Sequence, residues 1–331
     1  MKSIECENLR RTFVKSKGRL SFKKSSEIIA LDDVNFSVNH GELFGLLGPN
    51  GAGKTTTTRV LCTLLLPTSG TARVLGHDVV NEARQVQRVV NMVAGGERML
   101  YFRLTARENL QYFAELYNVP KNEVKSRLDD LIGLVGLSER QDEPVERFSK
   151  GMKQRLQIAR GLINDPEVLL LDEPTLGLDV HIARDVRRFI QDELVKKRKK
   201  TVLLTTHYLY EAEEICDRVA FLQKGNIIAV DTPQNLKKMS KHGISVELLV
   251  SFMQKDIISS LESLKGVRSV STPEGHEVTG GTPAVRIVLI VEEESVMPHI
   301  MSTLADTHTR VLTMNVREPS LEDIFIEMTS G

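Results

Sequence analysis

At 331 residues the chain is longer than a usual single domain, so two domains are expected. Its 44 Lys and Arg balance 44 Asp and Glu, leaving no global field to draw nucleic acid or a membrane surface. No apolar run approaches the roughly 20 residues of a membrane span, and Met1-Lys2-Ser3-Ile4-Glu5-Cys6 lacks the apolar core of a signal peptide.

In chain order, residues 3–14 and about 28–38 are expected as strands, joined by a basic, serine-rich loop from Lys15 to Ser26. Phe13 is a candidate to stack on an adenine ring, Phe22 competes for that role, and a plain core phenylalanine is an equal alternative. Cys6, Cys62 and Cys216 are an odd number without metal-like spacing, so they are expected as small core fillers in a reducing cytosol.

The stretch from Leu43 to Leu66 organises the rest. An apolar strand, Leu43-Phe44-Gly45-Leu46-Leu47, runs into Gly48-Pro49-Asn50-Gly51-Ala52-Gly53-Lys54-Thr55-Thr56 and then into a helix. Glycines at 48, 51 and 53 let the backbone turn tightly and present its N–H groups with no Cβ in the way. With the positive end of the following helix they make a concavity suited to a polyphosphate. Lys54 is placed to reach the β- and γ-phosphates, and the Thr55 hydroxyl to complete a Mg²⁺ coordination sphere.

Pro67-Thr68-Ser69-Gly70 stops that helix, and strands are expected at 71–74 and 89–93. The pattern then turns helical to about Leu137, with Val124, Leu128, Leu131, Ile132 and Val135 on one face. Ser149 is a good N-cap for a helix carrying Leu156, Ala159, Leu162 and Ile163 inward, a second helix N-terminus able to meet an anion.

Val168-Leu169-Leu170-Leu171 lacks alternation, as a strand buried on both faces of a parallel sheet does, and it ends in Asp172-Glu173-Pro174. Open α/β sheets place ligands at such strand ends. With a phosphate loop in the same sheet, Asp172 is assigned to Mg²⁺ and Glu173 to polarising an attacking water. A helix over 179–200 comes next, closed by Lys196-Lys197-Arg198-Lys199-Lys200, whose charge suits a helix C-terminus. The buried strand 201–206 delivers His207 to the edge that holds Glu173, as a γ-phosphate contact. Strands at 218–223 and 226–230 are joined by a hairpin signal, Lys224-Gly225-Asn226.

Beyond about 240 the chemistry-bearing motifs stop. Strands are expected at 244–251, 267–272, 284–291 and 310–317, helices at 254–264 and 295–305, a loop from Glu274 to Thr282, and a closing helix from Pro319-Ser320 to Thr329. This order suggests a small ferredoxin-like α+β domain.

Taken together, residues 3–235 resemble the ATP-binding subunit of an ABC transporter. Gly48 to Thr56 resembles its Walker A loop, Leu169 to Pro174 its Walker B strand with the catalytic glutamate, and Ser149-Lys150-Gly151-Met152 stands at its signature motif. Gly177-Leu178-Asp179 looks like the D-loop and His207 like the switch histidine. The tail, with Pro319-Ser320-Leu321-Glu322-Asp323-Ile324-Phe325, looks like that of the sodium- and daunorubicin-exporter type, a multidrug class. There are two departures. Lys150 and Met152 replace the glycine and glutamine of a Ser-Gly-Gly-Gln signature, and Gly96, with Glu97 beside it, stands where the Q-loop glutamine belongs.

The resemblance implies an α/β P-loop core over residues 1–239, mostly parallel with an antiparallel β edge and a helical insert at about 97–164, and an accessory α+β domain over 240–331. It further implies ATP and Mg²⁺ as ligands, and catalysis by Glu173 and His207. Two ATP molecules would be sandwiched in a dimer with a second copy or a paralogous ATPase subunit. Ser149, Gly151 and Asp179 would meet the partner's Walker A nucleotide there. Integral membrane permease subunits would be the other partners and nucleic acid none, with the chain on the cytoplasmic face of the membrane. Chromosome-maintenance ATPases share these motifs but need long coiled-coil arms, for which the roughly hundred residues between Lys54 and Ser149 leave no room. Translation-factor ATPases carry two cassettes in one chain, whereas one is present here. A regulatory, nucleic-acid- or ribosome-associated ATPase is the remaining alternative.

Overall fold

A computed structural model describes residues 1–15, 26–95, 100–240, 243–251, 257–272, 277–279 and 282–329. Phe22, Gly96, Glu97 and nearly all of the basic insert from Lys15 to Ser26 lie outside them.

The chain packs as two compact units, Met1–Pro233 and Gln234–Gly331, against an expected junction at 239/240. In the first, β1 (Lys2–Lys15) and β2 (Ser26–Asn39) form a long antiparallel pair, followed by β3 (Leu43–Leu47) and α1 (Lys54–Leu61). Next come β4 (Ser69–Val74), which joins β1 antiparallel, the short β5 (His77–Asp78), α2 (Ala83–Val89) and β6 (Val90–Ala94). The helical insert holds α3 (Ala106–Leu116), α4 (Lys121–Leu134) and α5 (Lys150–Gly161). Thr105 and Glu108 start α3 with a reciprocal capping box, and Leu128, Leu131 and Ile132 form the buried stripe of α4.

The sheet then resumes with β7 (Val168–Asp172), α6 (Val180–Phe189), β8 (Thr201–Thr206), α7 (Leu209–Ile215), β9 (Arg218–Gln223) and β10 (Asn226–Asp231). The 179–200 helix is not uniform as expected. From Ile190 to Lys197 it widens into π geometry, whose longer turn carries Ile190, Leu194 and Val195 together to the buried side.

The central sheet runs β10-β9-β3-β8-β7-β6, parallel except for the β9–β10 hairpin. Strands β3, β7 and β8 are buried throughout, because helices or a second sheet cover both faces. That second sheet, β2-β1-β4-β5, packs Ile4, Leu9, Leu31 and Val34 with Phe44, Leu46, Leu170 and Leu203 around α1. Each such side chain contributes about 1.5–3 kcal/mol by leaving water. The β9–β10 turn takes positive φ at Lys224 (48°) and Gly225 (84°), the twist-matched choice for a two-residue hairpin. Gly225 then bridges two layers, its N–H donating to Ala52 O at 2.9 Å and its carbonyl accepting from Asp32 N at 2.8 Å. The phosphate loop is thereby pinned from outside.

The second unit contains most of α8 (Pro233–Lys238), then β11 (Ile244–Val250), α9 (Ile257–Glu262), β12 (Val267–Ser271), β13 (Glu277–Thr279), β14 (Thr282–Val291), α10 (Met297–Asp306), β15 (Val311–Arg317) and α11 (Leu321–Thr329). Its sheet order, β12-β14-β11-β15 with every neighbour antiparallel, is that of two interleaved β-α-β units, a ferredoxin-like fold. Ile257, Leu261, Ile300 and Leu304 of the helices close over Val246, Leu248, Ile287 and Leu289. The expected loop from Glu274 to Thr282 is in part a strand. Glu277–Thr279 pairs antiparallel with Thr282–Ala284.

Candidate functional site

Parallel pairing brings the carboxyl ends of β3, β7 and β8 side by side, and the segments leaving those ends line one cleft of about 300 Å³. One wall is the turn with Asn50, Gly51 and Gly53 and the first residues of α1; opposite stand Glu173, Leu176 and His207. The glycines are required by close approach: a Cβ on Gly53, at φ +116°, would lie 2.6 Å from Ala30 O, and one on Gly48 would collide with the Leu222 carbonyl. Helix α1 starts at Gly53 without a side-chain cap and without an acidic residue in its first turn. Its N-terminal N–H groups are thus available to an anion.

Lys54 is 5% exposed. Its Nζ donates to Gly48 O at 2.7 Å and Pro49 O at 3.2 Å and lies 3.2 Å from Glu173 Oε1. The other carboxylate oxygen, Oε2, is 2.8 Å from His207 Nδ1. With the carboxylate as acceptor, the hydrogen bond between them is donated by the Nδ1–H of His207, which leaves Nε2 free of Glu173. Glu173 itself sits at φ +53°, a left-handed conformation that costs a glutamate about 1–3 kcal/mol. It is held there because its N–H donates to Thr205 O at 3.0 Å and its carbonyl accepts from Leu176 N at 3.2 Å.

The neighbouring Asp172 is buried and accepts from Thr55 Oγ1 at 3.0 and 3.2 Å and from Thr205 Oγ1 at 2.6 Å. Chemically, this is an anion cradle with a cation at its floor, a carboxylate–hydroxyl pair beside it, and a second carboxylate held by a histidine. A larger cleft of about 460 Å³ opens by Arg84, Arg88, Tyr117 and Arg127, but it holds neither a glycine-rich turn nor a carboxylate. Size does not decide between them; the donor set does.

Residues 31–176 match the ABC transporter family, and residues 232–329 match the family described as ATP-binding protein DrrA1-3-like, C-terminal domain. The ABC transporter ATP-binding protein NatA of Bacillus subtilis is 39% identical over 70% of this chain and 92% of its own. The doxorubicin resistance ATP-binding protein DrrA of Mycobacterium tuberculosis is 36% identical over 92% of this chain and 89% of its own. The chain belongs to the ABC transporter ATP-binding proteins. Among solved structures, a bacterial ABC transporter cassette in dimeric form superposes with a TM-score of 0.59 at 25% identity, over 69% of this chain and 98% of that one.

As a member of that family the protein binds nucleotide and is an ATPase. Of the sequence-derived residues, Asn50, Gly51, Gly53, Lys54, Thr55, Thr56, Glu173 and His207 line this one cleft, Gly48, Pro49 and Ala52 belong to the same turn, and Asp172 is hydrogen-bonded to Thr55. Phe13, Ser149, Gly151 and Asp179 lie on other elements and are not part of the cleft lining. Phe13 is 37% exposed on β1, with the Arg11 guanidinium 4.6 Å over its ring. Ser149 caps α5, accepting from Met152 N at 3.2 Å. Gly151 lets α5 approach α6, where a Cβ would lie 2.6 Å from Ile182 Cγ2. Asp179 is the N-cap residue of α6, but its side chain makes no cap hydrogen bond.

Sequence reasoning passed over Thr205, the cross-strand partner of Asp172 in β8. The available signal was a hydroxyl inside an otherwise apolar buried run. It also passed over a buried network on α6 and α7, Arg187 with Glu211, for which spacing within one helix gives no sign.

Proposed function

We propose that this ABC ATPase is the motor of an exporter: two copies, or one copy and a paralogue, enclose two ATP molecules and drive a separate membrane subunit. The observation that carries the reading is the meeting of Lys54, Glu173 and His207 across the cradle, with Asp172 and Thr55 alongside. In this reading Lys54 and the α1 N-terminus hold the triphosphate, Glu173 takes a proton from the attacking water, and His207 orients Glu173 and presents Nε2 toward the γ-phosphate.

Thr55 Oγ1 and Asp172 offer the hard oxygen donors that Mg²⁺ prefers, so the residues fit that ion. When bound, it would supply positive charge to the β- and γ-phosphate oxygens. The Ser149-capped start of α5 lies outside its own cleft, which favours its use against the nucleotide of a second copy. The dimeric form of the similar cassette supports that arrangement.

Export of a drug-like compound is favoured by the two matched family regions and by the resistance function named for DrrA. Among the described residues no helix is long and apolar enough to cross a membrane, so the translocation path would belong to partner subunits, with this chain on the cytoplasmic face. The replacement Glu173→Gln tests the chemistry. It should retain ATP binding, permit an ATP-stabilised dimer in gel filtration, and lower turnover by about 10²–10⁴-fold. Turnover equal to the parent would remove Glu173 from its role.

A further inference from the structure

Two loops must hold register for Glu173 and His207 to meet, and one side chain outside the cleft touches both. Glu211 of α7 is 1% exposed. Its Oε2 accepts from Thr175 Oγ1 at 2.6 Å, two residues beyond Glu173, and from Thr206 Oγ1 at 3.3 Å, one residue before His207. Thr206 Oγ1 in turn accepts from Tyr208 N at 3.0 Å, a side-chain-to-backbone turn that folds the chain around His207. The second oxygen, Oε1, is neutralised by Arg187 Nη1 at 3.0 Å. Arg187 is itself buried and fixed by Glu214 Oε2 at 2.7 Å from Nε.

We propose that Glu211 is a positioning residue for ATP hydrolysis, clamping the segment after Glu173 to the segment before His207 so that the two catalytic groups stay within hydrogen-bond reach. This rests on the catalytic reading of Glu173 above. The physical reason is a division of labour within one carboxylate. Oε1 is committed to the Arg187 charge, which makes burial of Glu211 tolerable. Oε2 is left to gather two hydroxyls from two different loops. Charge-assisted hydrogen bonds in a buried site are short and directional. The left-handed backbone at Glu173 needs over-determined surroundings to persist, and the clamp supplies one of them from outside the cleft lining. None of these contacts involves the phosphate-loop glycines or Lys54, so the clamp acts on the hydrolytic step and not on nucleotide capture.

The test compares Thr175→Val, nearly isosteric but without the hydroxyl, with Thr175→Ser, which keeps it. In the purified full chain, Thr175→Val should lower kcat for ATP about tenfold with KM within about twofold, whereas Thr175→Ser keeps both within about twofold. A role confined to structure would shift the unfolding midpoint and leave kcat per folded molecule unchanged. Parental kcat in a folded Thr175→Val protein would overturn the proposal, as would a KM that rises in step with the loss of kcat. Should Thr175→Val fail to fold, Thr206→Val against Thr206→Ser reads the other arm of the clamp with the same criteria. Glu173→Gln measured in parallel separates the layers. A dead Glu173→Gln beside a parental Thr175→Val removes only the clamp, and a parental Glu173→Gln removes the catalytic reading beneath it.

Discussion

The two compact units of this chain bury very different things. Within Met1–Pro233 the interior holds Glu42, Lys54, Arg160, Asp172, Arg187 and Glu211; within Gln234–Gly331, among the described residues, the buried polar side chains are Ser240 and Thr309. Burying an ion costs several kcal/mol unless it is paired and hydrogen-bonded. Three pairings meet buried ions of the first unit with opposite charge, and Asp172 is met by two hydroxyls. Glu42 faces Arg218 at 3.2 Å, Lys54 faces Glu173, and Arg187 faces Glu211. Arg160 donates to the Met92 carbonyl at 2.8 Å and lies over the Phe113 ring, and burial pulls its guanidinium below its ordinary pKa. Among the described residues the core cluster of the second unit is built from Val, Leu and Ile, and no ionisable side chain is buried there. The contrast teaches where selection has acted through chemistry and where through shape. A fold that needs only to exist can be built from Val, Leu and Ile, while one that moves phosphate retains ions it must then satisfy.

The comparison is broken most easily at the buried ion pair. Arg187→Met leaves Glu211 buried without its cation and should destabilise the first unit by about 3–5 kcal/mol. Urea unfolding, with hydrogen exchange followed separately over the two units, would locate the loss; a near-neutral result would mean the ion pair is not what holds α6 to α7. The matching cut in the second unit is Ile287→Ala, which removes a fully buried side chain from β14. It should cost about 2–5 kcal/mol by lost transfer energy and cavity formation. Faster exchange should appear in β11, β14 and the helices over them, with the ATP-binding affinity of the chain unchanged.

What could be read from sequence obeys the same division. The phosphate loop was legible because its glycines and lysine fall within one seven-residue stretch, Gly48 to Lys54, and β7 because four apolar residues ending in two carboxylates have few other uses. The interleaved strand–helix order of the second unit was legible because periodicity alone carries it. Contacts between distant segments were not. Thr205 reaches Asp172 across a separation of 33 residues, and Thr175 reaches Glu211 across 36. Only the register of β7 beside β8, and the packing of α7 near the segment that leaves β7, make them neighbours. The π stretch after Phe189 was hidden because α and π turns share residue preferences, and β13 because three residues are too few to show alternation. The expectation that the cysteines fill the core agrees with their burial. All three are buried as free thiols, and burial pushes the Cys62 thiol up to about 11.

The smallest expected effect sharpens the comparison most. The second unit does carry ion pairs, but at its surface. Arg286 of β14 lies 2.7 Å from Glu247 of β11, with both side chains more than a third exposed. The two are diagonal neighbours in the sheet, since Arg286 pairs with Leu249 and Glu247 with Val288. Water already solvates both charges, so neither had to be compensated for the fold to form. Arg286→Met should therefore cost no more than about 1 kcal/mol. That remainder should shrink further in 1 M salt, where the screening length falls to about 3 Å. Arg187→Met should keep most of its cost under the same salt, because its pair is shielded from solvent. A loss for Arg286→Met as large and as salt-insensitive as that for Arg187→Met would show that burial is not what separates the two units. The aliphatic make-up of the second core would then need another explanation than the absence of ions inside it.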